Sequence, residues 1–188
     1  PLPFDIGENA LCISCLEEKP PFACARSVFA YNSAIAKLIL PFKHGDQTEF
    51  APLFGQWLAQ YGADILHDID YIIPVPLHYR RFWQRRYNQA ALLGYSLSKQ
   101  IDIPTIPDAL IRIKNTVSQG HMKPEARKKN VRGVFKINEK HRKILQKKRI
   151  LLIDDVYTSG ATLSEISQLL HKQVSAEICA ITLARAIK

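Results

Sequence analysis

Two hydrophobic rhythms alternate along the chain. Short apolar runs are separated by stretches in which apolar residues recur every third or fourth position, the patterns of buried strands and amphipathic helices. Residues 26–31 (RSVFAY) predict a strand. Asn32 is placed to cap a helix over 33–44, where Ile35, Leu38 and Ile39 share one face. A second amphipathic helix is expected over 50–66, then a buried strand over 69–77 that ends in Pro74 and Pro76, which lack N–H donors. The pattern continues with a helix at 89–101, a strand at 109–114 and a helix around 124–130. It closes with a strand at 148–156, a helix at 162–174 and a strand at 177–185. Alternating strands and helices, with the last strands almost wholly apolar, predict an α/β fold. Its sheet should be mostly parallel, with helices on both faces. Residues 1–25 have little periodicity and contain Pro20 and Pro21, so they read as an appendage or linker before a domain at 26–188.

A hydrophobic content of 47% in 188 residues suffices for one core and a small appendage. A bilayer needs roughly 20 apolar residues in a row. The runs at 72–77 and 150–153 fall far short, so no membrane insertion is expected. The opening PLPFDIGEN lacks the basic start of a signal peptide, which points to a cytoplasmic protein. A start at Pro1 rather than Met leads us to expect upstream residues.

Charge changes the picture more than composition does. The net charge is +9, but the segment from Arg112 to Arg149 holds fourteen Lys and Arg against two acidic residues. The remainder of the chain is slightly acidic. Such a block attracts polyanions, either nucleic acid or a phosphate-rich small ligand, although a solvated basic loop has the same composition. Arg80, Arg81, Arg85 and Arg86 interleave with Tyr79, Phe82, Trp83 and Tyr87, a mixture that suits a nucleic-acid backbone and its bases. Lys128 and Lys129 extend the same potential. Trp83 and Tyr87 equally suit packing against the helix that follows.

Of the four cysteines, Cys12 and Cys15 form a CxxC, the usual spacing for two thiolates on one Zn²⁺. One pair fills only half of a tetrahedral site. Cys24 and Cys179 sit in apolar surroundings and read as small core residues.

The stretch Ile150–Glu165, ILLIDDVYTSGATLSE, carries the most chemistry. A buried strand delivers Asp154 and Asp155 to its carboxyl end, where open parallel sheets bind ligands. The turn Val156, Tyr157, Thr158, Ser159, Gly160, Ala161, Thr162 then enters a helix, whose free N–H groups and positive end suit a phosphate. Gly160 lets the backbone approach closely. Two carboxylates beside an anion site call for a ligand that also carries hydroxyls, such as a phosphorylated ribose. They would reach it directly or through Mg²⁺. A simple helix cap explains one Asp and the hydroxyl residues but not the whole string.

This string resembles the phosphoribosyl-pyrophosphate (PRPP) loop of type I phosphoribosyltransferases. It is unlike a Walker A loop or a dinucleotide GxGxxG. IPVPLHYRRFWQRRYNQAALL, RIKNTVSQGHMKPEARKKNVRGVF, ITLAR and CISCLEEKPPF resemble the ComF family over nearly the whole chain. The resemblance implies a type I phosphoribosyltransferase fold with a basic hood, and a remnant of an N-terminal zinc ribbon whose second half holds Cys12 and Cys15. It implies that Asp154 and Asp155 hold ribose hydroxyls or Mg²⁺, and that residues 158–162 hold the 5′-phosphate. Pro74, Val75, Pro76, Leu77 and His78 would form the pyrophosphate loop, with Arg80 and Arg81 nearby. Arg112, Lys114, Arg127, Lys128 or Lys129 would close over pyrophosphate. It also implies a role in natural transformation, with single-stranded DNA and DNA-uptake proteins as partners. Purine-salvage members of the fold carry an Asp where Thr158 stands here, which argues against hypoxanthine or guanine as acceptor. Three functions follow: a Mg²⁺-dependent transferase, a single-stranded-DNA-binding factor, and a PRPP sensor without transferase activity.

Overall fold

The computed structural model describes residues 19–45, 47–78, 86–114, 116 and 124–186. Its main sheet comprises β1 (Cys24–Ala30), β2 (Tyr71–Pro74), β5 (Arg149–Tyr157) and β6 (Glu177–Arg185). The strands run parallel in the order β1-β6-β5-β2. The helices are α1 (Ser33–His44), α2 (Ala51–Tyr61), α3 (Gln89–Ile101), α4 (Pro124–Val131) and α5 (Ala161–Val174). β3 (Leu110–Arg112) and β4 (Phe135–Ile137) pair antiparallel as a separate two-stranded ribbon that brackets α4. This ribbon and α4 are the basic hood.

Local signals account for most boundaries. Asn32 caps α1 as predicted, its side chain accepting from Ile35 N at 2.9 Å. The expected helix at 50–66 is α2 flanked by 3₁₀ turns at Thr48–Phe50 and Ala63–Ile65, with the break at Gly62. β2 is shorter than expected. Val75 N still donates to Ile153 O at 2.9 Å, but Pro76 has no N–H and the ladder stops. β1 begins at Cys24, so Cys24 and Ala25 belong to the sheet rather than to the linker. β4 is absent from the sequence reading because three residues carry only one alternation of buried and exposed positions.

The two sheet faces follow the strand period of two. Ile150 and Leu152 face a core built with Ile73, Leu163, Ile166 and Leu170 of α5 and Phe135 of the hood. Leu151 and Ile153 face the opposite core, built with Phe42 of α1, Phe54 and Leu58 of α2 and Leu93 and Leu97 of α3. Helices therefore cover both faces of a parallel sheet, as the apolar strands require.

Cys24 and Cys179 meet across β1 and β6, with Sγ atoms 2.7 Å apart and Arg149 Nη2 3.9 Å from Cys179 Sγ. Cys179 is buried and Cys24 half-buried, which matches their reading as core residues. The hydrogen bond from Cys24, with Arg149 beyond it, draws the Cys179 thiol down to about 7.

Candidate functional site

β5 ends at the carboxyl edge of the sheet, and the strand period sends its last two acidic residues to opposite faces. Asp154 follows Ile150 and Leu152 toward α5 and the hood. Asp155 follows Leu151 and Ile153 toward α1. Asp155 pairs directly with a cation of its own layer, and Asp154 feels cations from both layers. Lys43 Nζ at the end of α1 lies 2.7 Å from Asp155 Oδ2. Arg112 at the end of β3 is close enough to lower the pKa of Asp154. Asp154 Oδ1 also accepts from Asp155 N at 2.8 Å. Desolvation at the strand end, then the Asp155 charge, push Asp154 up to about 7; Lys43, the Asp155 N–H and Arg112 act in the other direction.

The turn beyond β5 forms an anion cradle. Gly160 adopts φ 73°, the left-handed region, and a Cβ there would lie 2.3 Å from Tyr157 Oη. Only glycine satisfies both constraints. Gly160 is also the N-cap of α5, and no side chain caps that end among the described residues. Its first N–H groups are left for a ligand. Among the described residues Ser159 Oγ is buried with no hydrogen-bond partner, an arrangement a phosphate oxygen would relieve. Thr158 is exposed and Thr162 half-buried at the mouth of the turn. Arg185 stacks over Tyr157 at 5.3 Å and braces the turn from β6.

The 74–78 turn leaves β2 beside Ile153: Pro74 pairs with Ile153, and Val75 N donates to Ile153 O at 2.9 Å. His78 is buried, 4% exposed. Arg112 is half-buried, stacks on Phe135 at 5.4 Å and donates to Thr116. Gly133 N donates to Glu165 of α5 at 2.6 Å and pins the hood beside the cradle.

The remaining expected residues scatter. Arg80, Arg81, Arg85, Cys12 and Cys15 lie outside the described residues, as do the side chains of Arg127 and Lys128. Lys114, Lys129 and Arg86 are exposed. Tyr87 is turned inward: it donates to Phe42 O at 2.7 Å and packs on the Phe42 ring. It is a packing residue and not a platform for a base. Sequence reading missed Lys43. A lysine at the end of an amphipathic helix carries no local mark of its partner, which lies 112 positions away.

Mg²⁺ prefers carboxylate, water and phosphate oxygens and rarely takes an all-protein cage. Among the described residues, no three His, Cys, Asp or Glu side chains cluster as one would require. A Mg²⁺ that arrives with a phosphorylated ligand would need only one or two protein carboxylates, which Asp154 or Asp155 could supply.

Comparison with known proteins agrees with this arrangement. Residues 88–188 match the phosphoribosyl transferase domain family. The chain is 34% identical over 180 residues to competence protein F of Haemophilus influenzae, a match covering 93% of this chain and 78% of that protein. This chain belongs to the ComF family. Another relative of this ComF chain is the DNA utilization protein YhgH of Escherichia coli K12, 29% identical over 184 residues, covering 94% of this chain and 78% of that one. Among solved structures, the glutamine PRPP amidotransferase of B. subtilis complexed with ADP and GMP superposes with a TM-score of 0.50 at 17% identity. The superposition covers 76% of the ComF chain and 30% of that larger chain, and it bears on the fold alone. The ComF chain has the type I phosphoribosyltransferase fold. No described helix is long and apolar enough to cross a membrane.

Proposed function

We propose that this ComF chain binds PRPP with Mg²⁺ and serves natural transformation, where its relatives are named for competence and DNA utilization. The observation that carries the ligand is the junction of β5 and α5. Two adjacent carboxylates stand beside a helix end that, among the described residues, has no side-chain cap and holds a buried hydroxyl without a partner.

In such a site the chain's own groups do the following. Asp154 and Asp155 accept hydrogen bonds from the ribose hydroxyls and fix the sugar. The 158–162 turn holds the 5′-phosphate on α5 N–H groups and Ser159 Oγ. With both ends of the ribose fixed, C1 is presented toward the 74–78 turn. Mg²⁺, when bound, neutralises pyrophosphate charge. Departure of pyrophosphate leaves positive character at C1, so no covalent nucleophile is required. Arg112 and the hood supply cationic charge over the leaving group and exclude water. Thr158 stands where purine-salvage enzymes have an acid, so the loop specifies the donor and leaves the acceptor open.

The density of charge in the hood favours single-stranded DNA as a second ligand. Lys129 is exposed there and Arg86 stands exposed before α3. The two ligands separate in one experiment. Asp154→Asn/Asp155→Asn abolishes PRPP binding by calorimetry, while single-stranded-DNA binding persists and weakens steeply with salt. Loss of both ligands together would place them in one site, and salt-insensitive DNA binding would remove the electrostatic account.

A further inference from the structure

Three consecutive residues, Tyr87, Asn88 and Gln89, tie together elements that are far apart in sequence. Tyr87 Oη donates to Phe42 O at 2.7 Å, and Gln89 Nε2 donates to Lys43 O at 3.0 Å. Both acceptors are carbonyls of the last turn of α1, which the helix itself leaves without partners. Asn88 Oδ1 caps α3 by accepting from Ala90 N at 3.1 Å, and its Nδ2 donates to Val75 O at 3.1 Å in the 74–78 turn. Gln89 is 2% exposed, so this tie lies inside the protein. What it fixes is the end of α1, and the side chain leaving that end is Lys43, paired with Asp155.

We propose that Lys43 positions Asp155 for the sugar hydroxyls of the ligand, and that Tyr87 and Gln89 position Lys43. The inference rests on the PRPP reading of the site and adds the group that orients one of its carboxylates. A carboxylate at a strand end has a free rotor. An ammonium at 2.7 Å from Oδ2 selects one rotamer and leaves Oδ1 as the oxygen it does not engage. The direct contact is to Asp155; Asp154, on the other layer, feels Lys43 only through its charge.

The test compares ribose 5-phosphate with 2,3-dideoxyribose 5-phosphate, both with Mg²⁺, by calorimetry on the whole chain. Lys43→Met weakens ribose 5-phosphate about tenfold or more, Lys43→Arg restores most of it, and neither changes affinity for the dideoxy ligand. Tyr87→Phe weakens ribose 5-phosphate about threefold in the wild-type background and has no further effect in Lys43→Met. A Lys43→Met loss that is equal for both ligands makes Lys43 a general attractor of phosphate and overturns the proposal, as does no loss at all. Additive losses in Tyr87→Phe/Lys43→Met overturn the tie. If the wild-type chain binds neither ligand nor PRPP, the PRPP reading itself falls. Melting temperatures of each variant separate local effects from misfolding.

Discussion

At the scale of single residues, the site trades stability for binding. Among the described residues Ser159 Oγ is buried without a partner, which costs the fold about 1–3 kcal/mol and is offset when a ligand oxygen accepts from it. Ser159→Ala should therefore melt no lower than wild type, yet bind ribose 5-phosphate about tenfold more weakly by calorimetry. Asp154 makes a related trade. Its pKa in the folded chain stands at about 7, above the ordinary carboxylate value, so the folded state holds a proton that the unfolded state has released. The resulting penalty is absent near pH 4, grows as pH rises toward 7 and is constant above it. Asp154→Asn should raise the melting temperature at pH 8 and leave it unchanged near pH 4. A gain of equal size at both pH values would assign the effect to something other than ionisation. Gly160→Ala meets both a positive φ and the Tyr157 phenol, and should cost about 1–3 kcal/mol in chemical denaturation.

At the scale of elements, two contacts decide how helices and strands seat on the sheet. α2 lies so close to α3 that a Cβ on Gly55 would come within 2.8 Å of the Ser96 carbonyl carbon. Gly55→Val should destabilise the fold by about 1–3 kcal/mol in urea unfolding, with the slope unchanged. At the other end of the sheet, Asp70 accepts from Lys148 Nζ at 2.7 Å and Arg149 N at 2.8 Å, joining the entrances of β2 and β5. The hydrogen bond from Lys148, foremost, holds its pKa below the usual carboxylate value. The stability this confers is complete above the unfolded carboxylate range and is lost as pH falls through the lower folded value. Asp70→Asn should cost about 1 kcal/mol at pH 7, partly screened because the pair is accessible, and progressively less as acid protonates Asp70 in the folded chain.

Elements also show what the sequence makes legible. α3 and β6 match their predicted ranges residue for residue, because each carries a complete period and clear ends. The β5–α5 junction is legible for the same reason: an apolar run, two acids, a glycine and a helix are all local. β4 is not, since its three residues lie inside a basic segment that hides their single alternation. The Lys43–Asp155 pair and the tie from Tyr87 and Gln89 are contacts between distant segments, and nothing in either segment alone points to the other. Tyr87 illustrates the limit in the other direction. Its arginine-rich neighbourhood suggests a stacking surface, while its hydroxyl is committed to the end of α1.

At the scale of the whole molecule, the sheet divides the labour. One face brings α1 and Lys43 to Asp155, the other brings the hood and Arg112 toward Asp154, and both converge where β5 hands over to α5. Eight of the fourteen basic residues between Arg112 and Arg149 fall within the hood's span, and the other six follow β4 toward the far entrance of β5, so only part of the chain's charge asymmetry bears on the site. The central claim is that one ligand, a pyrophosphorylated ribose 5-phosphate, satisfies all these groups together. Calorimetric titration of the chain with PRPP, with and without Mg²⁺, tests it most directly. The account predicts saturable binding at one site per chain, strengthened by Mg²⁺ and absent from Asp154→Asn/Asp155→Asn. No heat of binding in the wild-type chain, or equal binding by the double variant, would contradict it.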